Sequence, residues 1–289
     1  MRKISRILLR TAVVLGIAGV GLSLGGVAMG ATVTGLNLSR YGVKNSIKKA
    51  AESAWTEGSD SWDEDWDEIS RLEPVETDQD KEIFETDPVS DLELSLSAGE
   101  LKFQSYDGDK IRIEVAGGKK DKVRIGLDDD TLVLETIGRT QDREITLNYP
   151  KDLRFKETSV DVAAGTVTMA SEFGTDDLEV SVAAGEFTNT GKLSAANDIS
   201  IEVGTGNVEL SDLDANNLEV DCGIGNVDLN ILGREEDYNY DISCAAGNID
   251  IGESSYSGLG HDKEITNPNA RGDMELNCGV GNITVAFKQ

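Results

Sequence analysis

Apolar and polar residues alternate with period two in seven stretches of this chain, and each stretch is broken at the same point by a small-residue corner, as in "LEVSVAAGEF" (178–187) and "LEVDCGIGNVDL" (218–229). With the corner glycine as reference, Gly99, Gly165, Gly185, Gly206, Gly225, Gly247 and Gly281 form one column; after a first gap of 66, the spacings are 20, 21, 19, 22 and 34 residues. Five residues before the glycine stand Leu94, Val160, Val180, Ile201, Val220, Ile242 and Leu276; two after it stand Leu101, Val167, Phe187, Val208, Val227, Ile249 and Ile283. Intervening positions are mostly Ser, Thr, Asp and Glu. Alternation of this kind marks strands with one buried face. Each unit therefore reads as strand, corner, strand and turn. About 20 residues form one coil, and coils stack because a lone coil cannot bury its apolar face. The fold predicted is all-β: a single-stranded right-handed β-helix, or β-solenoid.

The three cysteines, Cys222, Cys244 and Cys278, sit three residues before the reference glycine, in the column otherwise filled by Leu96, Val162, Val182 and Val203. A metal centre needs about four converging ligands, and no His or acid occupies the neighbouring apolar columns. These cysteines are expected to be small core residues, with no catalytic, cofactor or metal role. The Gly-Asn pairs at Asn207, Asn226, Asn248 and Asn282 suit turns. A nonapeptide calcium repeat does not fit a 20-residue period.

Residues 105–157 break the pattern. "DKIRIEVAGG", "DKVRIGLDDDTLVLET" and "EITLNYPKDLRFKE" read as hairpin-like strands with turns at Gly117-Gly118 and Asp128–Asp130. This order, followed by "VDVAAGTVTM", "LEVSVAAGEF", "ISIEVGTGNVEL", "LEVDCGIGNVDL" and "MELNCGVGNITV", resembles a bacterial candidate-adhesin family of unknown function over about residues 89–289. The resemblance implies a solenoid domain that is often membrane-anchored, sometimes linked to envelope-stress operons, and without catalytic residues to carry over.

The amino-terminal part has a different character. Residues 11–33, "TAVVLGIAGVGLSLGGVAMGATV", hold no charge and follow Arg2, Lys3, Arg6 and Arg10. A run of this length can span a bilayer as a helix, and the basic flank favours that end in the cytoplasm. Residues 1–35 are thus expected to anchor a single-pass protein whose carboxyl-terminal domain is extracytoplasmic; cleavage near Ala28-Met29-Gly30 is the alternative. Gly21/Gly25 and Gly26/Gly30 are G-x-x-x-G pairs, common in membrane helices. Residues 36–55 read as a juxtamembrane amphipathic helix with Arg40, Lys44 and Lys48 in one stripe, suited to an anionic lipid surface or to solvent. Residues 56–88 read as an acidic connector, extended or disordered over much of its length, with Trp55, Trp62, Trp66 and Ile69 on one face if helical.

Charge follows the same division. Residues 1–55 carry +7, residues 56–88 carry −12, and the remainder carries −22 of the net −27. Nucleic acid is not an expected partner of so acidic a chain. The expected function is that of a non-enzymatic, membrane-anchored envelope protein, an adhesin-like binding or scaffold module with a protein or cell-surface polymer as partner. A carbohydrate-active β-helix enzyme and a polymerising solenoid are the alternatives. Outward acids recur in columns (Glu179, Glu219, Asp241, Glu275; Asp161, Glu202, Asp221), which reads as a solvated face able to attract Ca2+. Arg271-Gly272-Asp273 spells an integrin tripeptide, but Asp273 shares its column with Asp91, Asp177, Asp198, Asn217 and Asn239 and reads as a turn acid. His261 falls in "GESSYSGLGHDKEITNPNA", expected to be a surface loop.

Overall fold

The computed structural model describes residues 69–288 apart from 79, 119–122 and 138–141, and gives only the backbone at 244 and 258–262. The expected span (11–33), the helix (36–55) and the tryptophans lie outside the described residues, among which no helix is long and apolar enough to cross a membrane.

Among the described residues seventeen strands make the domain: β1 (Ser70–Arg71), β2 (Glu76–Thr77), β3 (Lys81–Thr86), β4 (Asp91–Leu96), β5 (Gly99–Tyr106), β6 (Ile111–Ala116), β7 (Val123–Asp128), β8 (Thr131–Thr136), β9 (Glu144–Pro150), β10 (Phe155–Met169), β11 (Phe173–Asn189), β12 (Leu193–Ala195), β13 (Asp198–Asp214), β14 (Asn217–Leu232), β15 (Tyr238–Ile251), β16 (Ser254–Ile265) and β17 (Gly272–Lys288). The coils pair in parallel, in the register the columns predict. Val160 lies opposite Val180, Val180 opposite Ile201, and Ile201 opposite Val220. Inward positions are sealed: Val160, Val180, Ile201, Val220, Ile242 and Leu276 are each 0 % exposed.

The corner glycines form a continuous ladder, and close approach explains them. A Cβ on Gly185 would meet the carbonyl oxygen of Gly165, and one on Gly225 that of Gly206, each well under 3.0 Å. Backbone cannot yield as a side-chain tip can, so the corner admits only hydrogen at this position. The sequence pattern alone ties these glycines to the turn itself; the stacked neighbour is the stronger constraint.

The 66-residue gap is an excursion to the outside of the first coil. β10 pairs directly with β4 and β5, with Gly165 opposite Gly99. On their other side lie β8 and β9, parallel to β4 and β5. β7 turns back on β8, and β6 on β9. The first reversal uses positive φ at Asp129, and the chain leaves β6 through positive φ at Gly117 and Gly118. β3 pairs antiparallel with β6 and buries Ile83. The packed domain therefore begins upstream of residue 89, inside the stretch read as connector. Phe103, Tyr149, Phe155 and Phe173 close this end of the core, with Phe173 within 5.5 Å of the other three ring centroids.

At the other end the sequence order of the coils is not their spatial order. β17 lies between β14 and β15, parallel to both: Cys222 faces Cys278, and Cys278 faces Cys244. The coils therefore do not stack in chain order. The stretch expected as a surface loop is corrected: residues 254–265 form β16, antiparallel to β15.

Candidate functional site

Insertion of β17 orders a row of polar side chains at the strand entrances. Asn217 Nδ2 donates to Asp198 Oδ1 at 2.8 Å, the Asp273 backbone N–H donates to Asn217 Oδ1 at 3.1 Å, and Asn239 Nδ2 donates to Asp273 Oδ1 at 2.8 Å. The spatial row is acid, amide, acid, amide; chain order would have set the two amides together. A second row follows the corner, where Asn226 Nδ2 donates to Asn207 Oδ1 and Asn282 Nδ2 to Asn226 Oδ1. Asn248 leaves this row for Asp250. Such ladders satisfy each amide with its neighbour and lock register.

The tripeptide at 271–273 is built into this end. Arg271 Nη2 donates to Leu232 O at 3.2 Å and to the Tyr238 hydroxyl, and the guanidinium stacks 5.1 Å from that ring centroid. Tyr238 in turn donates to Ala215 O at 2.8 Å. Arg271 thus clamps the turn between β14 and β15 beside the entering β17, while Asp273 is held in the amide row. Cys222 and Cys278 are buried and unbridged. The hydrogen bond between their thiols lowers the pKa of Cys222, against the opposing effect of burial. Cys244 occupies the same register position; its side chain and that of His261 lie outside the described residues.

Two outward rows on the first strand of each coil carry the acidic face. In spatial order from β10 onward one row reads Asp161, Ser181, Glu202, Asp221, Asn277, Ser243, and the other Ser159, Glu179, Ser200, Glu219, Glu275, Asp241. Seven carboxylates and no Lys or Arg occupy these positions. Over β10, β11 and β13, serine and acid alternate out of phase in the two rows, so no acid has an acid directly beside it in its row. The alternation fails at β14, where Asp221 adjoins Glu202 and Glu219 adjoins Glu275. At the break, burial first, then the charges of Asp221, Glu179, Glu219 and Asp161, push the Glu202 carboxyl up to about 7. Burial also raises Glu219 and Asp221; the hydrogen bond from Asn277 partly counters the shift at Asp221.

Two polar atoms on this face are orphaned. Glu202 Oε2 and Ser181 Oγ are buried without a hydrogen-bond partner, and Ser181 is only 1 % exposed. In the sequence Glu202 stands in a column that reads as a solvated face, and Ser181 carries no expected role. The out-of-phase serines were the available signal, since a short side chain lets its longer neighbours fold over it. Among the described residues no group of three or more His, Cys, Asp or Glu is arranged to hold a metal ion, so calcium binding here would require the carboxylates to regroup.

The family model described as Toastrack DUF4097 matches residues 89–289. The chain belongs to this family. Its Toastrack domain is similar to solved structures of a candidate cell adhesion protein from Clostridium sporogenes (13 % identity, 72 % of this chain and 99 % of that one, TM-score 0.39) and a candidate adhesin from Bacteroides fragilis (13 %, 72 % and 98 %, TM-score 0.37). A third, a candidate lipid binding protein from Parabacteroides distasonis, aligns at 12 % identity over 73 % of this chain and 99 % of its own, with TM-score 0.30. No curated protein matches the chain.

Proposed function

We propose that this Toastrack protein is a non-enzymatic, membrane-anchored module of the cell envelope that binds cationic partners through the two acidic rows of its coil stack. The observation that carries this reading is the break in alternation at β13 and β14, where Glu202, Glu219 and Asp221 are crowded on a rigid sheet. At strand spacing of ~4.8 Å, like charges repel by roughly 1–3 kcal/mol per pair. A cation laid across the rows relieves that repulsion. The uncharged stretch 11–33 and its basic flank support the anchor and the extracytoplasmic placement of the domain.

The competing enzyme reading takes two forms: a glycoside hydrolase would use a pair of carboxylates, and here the acids recur in coil-to-coil rows with no one pair set apart; a polysaccharide lyase would need Lys or Arg near the acids. Over residues 160–289 the basic side chains are Lys192, Arg234, Lys263, Arg271 and Lys288. Four of the five are in ion pairs, with Asp214, Asp237, Asp214 and Asp212 respectively. That engagement favours a structural role for them.

The test uses the full chain in nanodiscs of neutral lipid and decalysine as probe. Binding is expected to weaken at least tenfold in the variant Glu202→Gln/Glu219→Gln/Asp221→Asn. Equal weakening on neutralising Asp107, Asp109 and Asp152, far along the chain, would reduce the effect to net charge and reject the face. Protease added to intact protoplasts checks the placement: residues beyond about 56 should be digested.

A further inference from the structure

We infer that the cation which occupies the acidic rows is the chain's own basic segment, residues 36–55, with Arg40, Lys44 and Lys48 laid across the coils at β13 and β14. The inference rests on the reading of that face as a binding surface and names its resident occupant.

Four observations carry it. The face holds seven carboxylates and no base, whereas residues 1–55 carry eight Lys and Arg against Glu52 alone. The face also has a built gap in its hydrogen bonding: Glu202 Oε2 and the Ser181 hydroxyl, adjacent in register, are buried and unpartnered. A buried acceptor of this kind is costly to leave empty, and a lysine ammonium, with three donors on a long stem, can reach it when the side chains that cover it part. Residues 36–55 and the Toastrack domain both follow the apolar run 11–33, so they lie on the same side of a membrane whichever way that run is oriented. Finally, the tether reaches. From Lys49 to Ser70 the extended chain spans up to ~70 Å, whereas β13 lies five strand spacings, roughly 24 Å, from β7, on which β1 rests. A stripe repeating every four residues rises ~6 Å per step, close enough to the coil spacing for successive basic side chains to meet successive coils. The same stripe suits anionic lipid, so docking on the face withholds it from the membrane.

The test places a photo-crosslinking p-benzoylphenylalanine at Asn45 in the full chain, in nanodiscs of neutral lipid, with cross-links read by mass spectrometry. Cross-links are expected on residues 179–221 and should fall at least fivefold in Lys44→Glu/Lys48→Glu, whose changes lie outside the described residues, and in Glu202→Gln/Glu219→Gln/Asp221→Asn. Cross-links on residues 56–68, on lipid, or between isotopically distinct copies would overturn the inference, as would yields insensitive to both variants. Should the segment map elsewhere while decalysine still binds through Glu202, Glu219 and Asp221, the face keeps its function and only its proposed occupant is wrong.

Discussion

Asn217 and Asp273 are 56 residues apart in sequence and hydrogen-bonded neighbours in space, the backbone N–H of Asp273 donating to Asn217 Oδ1. The pair exists only because β17 enters between β14 and β15, and it sits in the alternating row Asp198, Asn217, Asp273, Asn239. Replacing Asn217 by Asp would set three carboxylates side by side. A loss of about 1–2 kcal/mol is expected from the lost hydrogen bonds and like-charge contact, and high salt should partly restore it; chemical denaturation at two salt concentrations checks both.

The glycine ladder makes a sharper prediction. Alanine at Gly281 would press its Cβ against the carbonyl oxygen of Gly225. Two backbones would have to separate, and a cost of about 3 kcal/mol or more is expected, at the upper end for overpacking. At Gly174 the nearest atom is the tip of Arg154, at 3.1 Å, so Gly174→Ala should cost under about 1 kcal/mol. Thermal unfolding of the two variants side by side measures the contrast.

Stability should fall as pH rises across the acidic face. Glu202 has its carboxyl raised from 4.5 to about 7 in the folded state, so between those values the folded chain holds a proton that the unfolded chain releases. Its stabilising effect is complete below about pH 4.5 and gone above about pH 7, a change of about 3 kcal/mol at most. Glu219 and Asp221 shift in the same direction. Asp214, lowered chiefly by Lys192 against burial, acts oppositely and only at lower pH. Glu202→Gln should flatten the melting-temperature profile between pH 5 and 8; an unchanged slope would assign the dependence to other groups.

The cysteines should be replaceable by an apolar residue of similar size. Cys222→Val and Cys278→Val are expected to keep the fold within about 1.5 kcal/mol, with no metal before or after by elemental analysis. Cys278→Asp should cost several kcal/mol by burying an unpaired charge.

Arg271 should matter for folding rather than adhesion. Arg271→Lys loses the fork that reaches Leu232, Tyr238 and Asp214 together, and a cost of about 1–3 kcal/mol is expected. Attachment of integrin-bearing cells to the immobilised chain should be absent, because Asp273 is engaged by Asn239 and Arg271 by its clamp.

The coil, its register and its inward columns were legible because one physical rule, period-two alternation around a fixed glycine, is repeated in each unit. Stacking order was not. Every coil presents the same apolar columns, so the inside of the stack accepts β15 or β17 equally well beside β14. The preference lies outside, in Asn217 finding Asp273 rather than Asn239, and such pairing is a relation between coils that no single stretch displays. β16 escaped because "SSYSGLGHDKEI" lacks alternation; pairing with β15 makes it a strand. The acidic face was visible as composition, but the burial of Glu202 and Ser181 depends on which neighbours fold over them.

Because β17 is placed between strands made before it, the domain cannot be completed in the order in which it is synthesised. Residues 238–265 emerge from the ribosome before their native neighbour β17 exists, and the edge of β14 that β17 will fill stays without its native partner until residues 272–288 follow. Assembly is thereby tied to translation reaching the end of β17. A product stopped short of Gly272 would expose the backbone edges of both β14 and β15, the kind of unpaired strand that proteases and chaperones recognise.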